Sequence, residues 1–230
     1  MRDNYPIAYK KGYTNFAKCK IDLSSKPMIP RKETEFWVKK AIREIQNSKF
    51  KIQNLRILDI FAGSGCIGIA ILKGLSRACR VDFSEIDKNS IQQIKLNLKI
   101  NKINPSRYKV IQSDVFGKLA PYRTEGSGSG YDYIFANPPY VAFKNKHLVQ
   151  KSVLDFEPHL ALFGGDDGLL YIRKFLKSAR RFLKPNGKIY LEFDHLQKNE
   201  LKKLLKKLNY KNYKIYKDQF HKWRYICIKN

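Results

Sequence analysis

The sequence predicts an open α/β sheet, mostly parallel, closed at its C-terminal side by an antiparallel hairpin. Apolar runs of strand length occur near 56–61, 80–86, 108–112, 131–136 and 188–193. Helical segments near 66–74, 89–100 and 168–183 separate strands of that series, the alternation that builds a parallel sheet. Residues 211–216 and 223–228 read as the closing hairpin and bring the strands to seven.

Each element has its own signal. Residues 35–46 predict a helix with Phe36, Trp37, Ala41, Ile42 and Ile45 on its apolar stripe. The run Arg56-Ile57-Leu58-Asp59-Ile60-Phe61 leads into Ala62-Gly63-Ser64-Gly65 and then the apolar helix from Cys66. Strand, glycine-rich turn and helix make the first unit of a Rossmann-like nucleotide site, although the spacing is not the full dinucleotide fingerprint. Asp59 before the turn repels phosphates and attracts a cation, so a ligand carrying an ammonium and a sulfonium, S-adenosylmethionine, fits. Asp87 closes the next strand, where an acid accepts from ribose hydroxyls. It equally reads as the N-cap of the helix that follows, and both roles are compatible. Glu85 takes the ribose role if the register is shifted by two. After the third strand, Asp114 is a candidate acceptor for an adenine amino group, with Val115 or Phe116 against the base, and equally an ordinary loop acid. Pro185-Asn186-Gly187 predicts a turn that ends the helix before it. Leu201, Leu204, Leu205 and Leu208 form a core-facing helical stripe.

The strand at 131–136 ends in Asn137-Pro138-Pro139-Tyr140. The prolines stop the strand because neither donates a ladder hydrogen bond. Asn137 is thereby left at a carboxyl end of the sheet, where such folds place ligand chemistry. The Asn137 side-chain oxygen and the Pro138 carbonyl are two acceptors able to converge on a planar NH2 group, with Tyr140 offering a ring face; taken alone, the tetrapeptide equally reads as a strand end followed by a surface turn.

Taken in order, these residues resemble the class I S-adenosylmethionine methyltransferases, and within them the HemK/PrmC family of protein-(glutamine-N5) methyltransferases. Ile29-Pro30-Arg31-Lys32-Glu33-Thr34-Glu35 is similar to that family's I-P-R-P-E-T-E. Asp59 to Ile67 resembles D-L-G-T-G-S-G-C-I, with Phe61 where glycine is usual, which narrows the cofactor turn. Asp87 to Asn97 is similar to the family's acid-to-asparagine region. Asn137-Pro138-Pro139-Tyr140-Val141 matches N-P-P-Y-[IV], and Phe156 to Leu169 resembles E-P-x-x-A-L-x-G-G-x-D-G-L. The resemblance implies a Rossmann-like methyltransferase fold with S-adenosyl-L-methionine held by Thr34, Glu35, Asp59, Phe61, Gly63, Gly65, Cys66, Asp87, Asp114, Val115 and Asn137. It implies catalysis at Asn137, Pro138, Pro139 and Tyr140. The expected acceptor is a glutamine of a protein, the Gly-Gly-Gln loop of a peptide-chain release factor. Family members usually carry a helical N-terminal domain, which the chain is expected to lack. Residues 1–30 are expected to be a linker and β-hairpin ahead of a catalytic domain at 31–230.

Composition sets the other bounds. The 230 residues include 46 Lys plus Arg against 20 Asp plus Glu, a formal net charge of +26. Residues 171–230 hold 18 basic and 4 acidic residues, whereas 130–170, around the proposed site, hold 3 and 5. The positive field is therefore made away from the site, and attracts nucleic acid, ribosome or an acidic partner unless it is only a solvated lysine surface. Four cysteines show no C-x-x-C pair, so no zinc or redox centre is expected, and a reducing cytoplasm (or mitochondrial matrix) is the expected setting. No apolar run is long enough for a membrane. Glu125-Gly126-Ser127-Gly128-Ser129-Gly130 reads as a flexible linker, either a natural loop or an engineered replacement to be left out of functional reasoning, and it lies just upstream of the Asn137 strand, where shortening alters the rim of the site. The alternative activity is N6-adenine or N2-guanine methylation of a flipped base; a cofactor-binding subunit without catalysis is a third class.

Overall fold

The computed structural model describes residues 4–48, 54–75, 79–124 and 129–230. A seven-stranded sheet forms the centre, from β3 (Leu55–Ile60), β4 (Cys79–Glu85), β5 (Tyr108–Gln112), β6 (Tyr131–Ala136), β7 (Leu183–Glu192), β8 (Tyr213–Lys217) and β9 (Trp223–Lys229). Its order is β5-β4-β3-β6-β7-β9-β8, and β9 alone runs antiparallel to its neighbours β7 and β8. The series grows outward from β3 through β4 to β5 on one side, and restarts with β6 on the other. The switch point lies between β3 and β6, the place where open sheets of this kind open a crevice.

Ahead of the sheet, a short helix α1 (Ile7–Lys11) precedes a hairpin of β1 (Tyr13–Phe16) and β2 (Cys19–Asp22). Phe16, Cys19, Ile21 and Leu23 are buried in the same core as α2 (Lys32–Gln46) and α3 (Cys66–Gly74). The hairpin is tied to α4 (Lys88–Ile100) by amide side chains, which satisfy strand N–H and C=O groups that a second sheet would otherwise take. Asn101 accepts from the Lys20 N–H at 3.2 Å and donates to its carbonyl at 2.8 Å. Asn97 accepts from the Asp22 N–H at 2.7 Å.

α2 starts at Lys32, three residues before the expected 35, because Glu33 and Glu35 favour the first turn and Arg31 is extended just ahead of it. It lays Trp37, Val38, Ala41 and Ile45 on one face of the sheet, where the indole stacks on Phe135 and Tyr225. α3 is buried from Cys66 to Leu72, as its unbroken apolar run requires. After the short α5 (Lys151–Phe156), α6 (Leu170–Ala179) is shorter than the expected 168–183: Gly168 has φ 73°, outside a helix, and Arg180–Phe182 tighten into a 3-10 turn. α7 (Lys198–Lys207) follows β7. Pro185-Asn186-Gly187 does not separate helix from strand as expected. It forms a bulge inside β7, where pairing with β6 jumps from Tyr131↔Leu183 to Tyr133↔Lys188 and Asn186 takes φ 63°. Residues 125–128 of the Gly/Ser stretch lie outside the described residues.

Candidate active site

The ends of β3, β4 and β6 build the site. Ile60 pairs with Ala136, so the glycine turn after β3 lies beside Asn137 after β6. Gly63 and Gly65 adopt φ of 53° and 79°, and Phe61 adopts 62°. Phe61 therefore holds the left-handed conformation that glycine adopts at no steric cost. Its ring turns aside, edge-on to Tyr171 and Phe175 with centroids 6.2 and 6.3 Å away. The Phe61 side chain is thus accommodated against the packing of α6 beside the turn. A Cβ added to Gly63 would meet nothing within 4 Å, so this face of the turn is open. At Gly68 the same Cβ would come 2.3 Å from the Phe83 ring, so that glycine serves helix-on-sheet packing instead.

Three carboxylates surround the turn with different duties. Asp59 is fully buried and accepts from the Gly68 N–H at 2.8 Å, and its second oxygen has no partner among the described residues. Burial raises its pKa well above the usual carboxylate range, with Glu85 adding to the effect. Glu85 ends β4 and accepts from the Gly63 N–H at 2.8 Å, with its other oxygen taking the Ile86 and Asp87 N–H groups. Asp87 is the N-cap of α4 and accepts from the Ser90 N–H at 2.7 Å. The strand ends at Glu85, two positions before Asp87, so the acid over the turn is Glu85, and Asp87 caps its own helix. Asp114 is half exposed and pairs with Lys174 at 2.6 Å. Val115 has φ 50°, an outlier for a β-branched residue, held by the Ser84 and Ser113 hydroxyls on its carbonyl. Cys66 is buried at the start of α3, beside the turn, and burial pushes its thiol far up.

Asn137 sits over the first turn of α2: its Nδ2 lies 3.5 Å from the Thr34 hydroxyl. Glu35, by contrast, faces Lys39 one helical turn on and has no contact with the tetrapeptide among the described residues. Glu192 at the end of β7 was not read from the sequence. It is buried and accepts from Thr34 Oγ1 at 2.7 Å, Trp37 Nε1 at 2.6 Å and the Tyr140 hydroxyl at 2.8 Å. Burial raises its pKa, and the three donors and Arg224 offset part of that. A lone Glu in an apolar strand, Tyr190-Leu191-Glu192-Phe193, was the available signal.

The backbone after Asn137 is clamped from below. Val141 pairs with Phe163, its N–H reaching Leu162 O at 2.8 Å. A Cβ on Gly164 would lie 2.5 Å from Pro139 O, and one on Gly168 2.2 Å from Tyr140 O, so both glycines are set by close backbone approach. Gln197 donates to Tyr140 O at 2.8 Å and Asp167 O at 3.2 Å. Glu157 holds the Ile29 N–H at 3.1 Å and Arg31 at 2.7 Å, joining the stretch before α2 to the stretch after the tetrapeptide.

Comparison with known proteins agrees with this geometry. Residues 30–174 match the model of the family described as Conserved hypothetical protein 95. The chain is 36% identical to the release factor glutamine methyltransferase of Flavobacterium psychrophilum, over 99% of this chain and 76% of that protein. It is 34% identical to the enzyme of that name from Lactococcus lactis, over 100% of this chain and 79% of that protein. In fold it resembles the N-terminal domain of human METTL16 in complex with SAH, with TM-score 0.59 and 19% identity, covering 97% of this chain and 78% of that one. The stretches that carried the resemblance in sequence are the ones that meet at this crevice, and relatives match them from end to end: the chain belongs to the HemK/PrmC family of glutamine methyltransferases.

Proposed function

We propose that the protein is an S-adenosylmethionine-dependent methyltransferase that acts on the side-chain amide of a glutamine, in the Gly-Gly-Gln loop of a peptide-chain release factor. The observation that carries this is Asn137, placed beside the glycine turn with its Nδ2 against Thr34 and, among the described residues, no partner on its Oδ1. The residues present fit the cofactor: an open face at Gly63, Glu85 over the turn, and an unpartnered buried oxygen on Asp59. Gly63, Gly65 and Glu85 would hold it, and when bound it supplies the electrophilic methyl. Glu85, on this reading, takes the ribose hydroxyls that the sequence assigns first to Asp87 and only on a shifted register to Glu85.

An amide nitrogen is a poor nucleophile because its lone pair is shared with the carbonyl. Asn137 Oδ1 and the Pro138 carbonyl accept both N–H bonds, aim the nitrogen and stabilise positive charge growing on it. Both glycines of a Gly-Gly-Gln loop lack side chains and pass into a narrow crevice. The near-neutral charge of residues 130–170 suits an amide better than a phosphate backbone. The relatives named for this activity support the substrate. The compartment is that of the release factor, the cytoplasm. No helix among the described residues is long and apolar enough to cross a membrane.

A second reading, contact with nucleic acid or ribosome, is favoured by two lysine-lined grooves. One, of about 580 Å³, is lined by Lys202, Lys203, Lys206 and Lys211, and the other, of about 540 Å³, by Lys95, Lys99, Lys102 and Lys109. They flank β8 and β5, the opposite edges of the sheet, and neither includes a residue of the crevice. We assign them to docking and not to the methylated group. Mass spectrometry of a release factor incubated with the enzyme and labelled cofactor tests the main reading. Methyl on the Gly-Gly-Gln glutamine is expected. Labelling of RNA or DNA with none on that glutamine overturns it.

A further inference from the structure

We infer that Thr34, locked by Glu192, is a positioning residue that fixes which end of the Asn137 amide faces the acceptor nitrogen, an inference that rests on the reading of Asn137 as an acceptor of the substrate's N–H. A threonine hydroxyl has one proton and two lone pairs. Here the proton is committed to Glu192 Oε2, 2.7 Å away in a buried bond. Toward Asn137 the hydroxyl therefore presents lone pairs alone, and the amide turns its NH2 to them at 3.5 Å. A flipped amide would set Oδ1 against Oγ1 with no proton between them. Oδ1 is left on the open side, the only orientation that receives a substrate NH2.

The polarity has a fixed source. Trp37 donates to the same Oε2 at 2.6 Å, and an indole N–H is a donor only. Oε2 therefore remains an acceptor whatever the charge on Glu192, because a proton on that carboxyl would go to Oε1, facing Tyr140. The groups around Glu192 come from four elements or loops: Thr34 and Trp37 of α2, Tyr140 after β6, Arg224 of β9 and Cys66 of α3. One buried carboxylate thus orients the amide through Thr34 and holds the Tyr140 ring that ends the tetrapeptide.

Thr34→Val tests this, because it keeps the shape of the buried side chain and removes the lone pairs. Glutamine peptides of the Gly-Gly-Gln type serve as substrate, and the matching Gly-Gly-Glu peptide as inhibitor. With the amide free to flip, its NH2 can face the inhibitor's carboxylate. Methyl transfer should fall roughly three- to tenfold, the scale of one net hydrogen bond. Inhibition by the glutamate peptide should strengthen relative to binding of the glutamine peptide, while cofactor affinity by calorimetry stays within about twofold. Thr34→Ser, which keeps the hydroxyl, should restore most of the lost turnover and the parental selectivity. If valine proves too bulky for the fold, Thr34→Ala gives the same readout. A merely structural Thr34 would weaken both peptides together, and unchanged selectivity in the folded variants overturns the relay. Asn137→Ala is measured alongside: if it still methylates, the reading of Asn137 itself fails, whereas loss there with unchanged selectivity at Thr34 removes the relay alone.

Discussion

Glu85 and Asp87, two positions apart, are given opposite work by their neighbours. Glu85 points back over Gly63, and Asp87 is spent on the Ser90 N–H at the start of α4. Glu85→Ala should weaken cofactor binding by about tenfold or more, since it removes a charged acceptor from the turn. Asp87→Ala should cost about 1 kcal/mol of stability as a lost N-cap and leave cofactor affinity nearly unchanged. Calorimetry and thermal melts on both variants separate the roles; a larger affinity loss at Asp87 reverses the assignment. Asp59 makes a prediction about pH. Its folded pKa is raised by burial, so its contribution to stability is complete at low pH, where it is neutral in both states. That contribution is lost as pH rises from the ordinary carboxylate range through the raised folded value. Asp59→Asn can still accept from the Gly68 N–H, so the melting temperature of the variant relative to the parent should be higher at pH 7.5 than at pH 4.5. An equal difference at both values would show that Asp59 ionises without penalty. Glu192 is also raised by burial and leaves part of the parent's slope in place.

Between residue and fold lies the loop from Phe156 to Leu169, which was legible as a motif and not as a mechanism. The sequence carries its glycines, and nothing in one dimension says that Gly164 and Gly168 lie under the carbonyls of Pro139 and Tyr140. Gly168 combines φ 73° with that close approach. Gly168→Ala should therefore cost a few kcal/mol, strain and clash together, and lower turnover beyond its effect on stability because Tyr140 must move. Differential scanning calorimetry with steady-state kinetics checks this, and a variant as stable and active as the parent contradicts the packing. The strands and the glycine turn were readable because apolar runs and φ > 0 positions are local properties. Glu192 was not, since its partners Thr34 and Tyr140 are 158 and 52 positions away in sequence. Phe61 shows the same limit: a side chain at a glycine position suggested a narrower turn, and only the fold reveals Tyr171 and Phe175 taking the ring aside. The Pro-Asn-Gly bulge in β7 differs for a related reason, because a turn signal is local and the register it must satisfy against β6 is not.

At the scale of the whole molecule, charge and chemistry are kept apart. The two lysine grooves lie along edge strands β5 and β8, and the crevice opens at the ends of the central strands β3 and β6. Lysines beside a sheet edge also discourage pairing with another chain, which a solvated surface would achieve without any partner. Salt distinguishes the two duties. If the grooves dock a phosphate backbone, binding of a short RNA duplex should fall steeply between 50 and 200 mM salt, with a slope that counts the phosphates neutralised. Replacing Lys202, Lys206 and Lys211 with glutamate should flatten that slope by about 2 to 3. Methyl transfer to a free Gly-Gly-Gln peptide should be unaltered by the same triple substitution, because the peptide carries no polyanion and the crevice holds none of the three residues. Transfer to a release factor bound on the ribosome should decline in parallel with RNA binding. Equal loss on peptide and ribosome would place the lysines in the crevice's own field, and an unchanged slope would leave the groove a solvated edge.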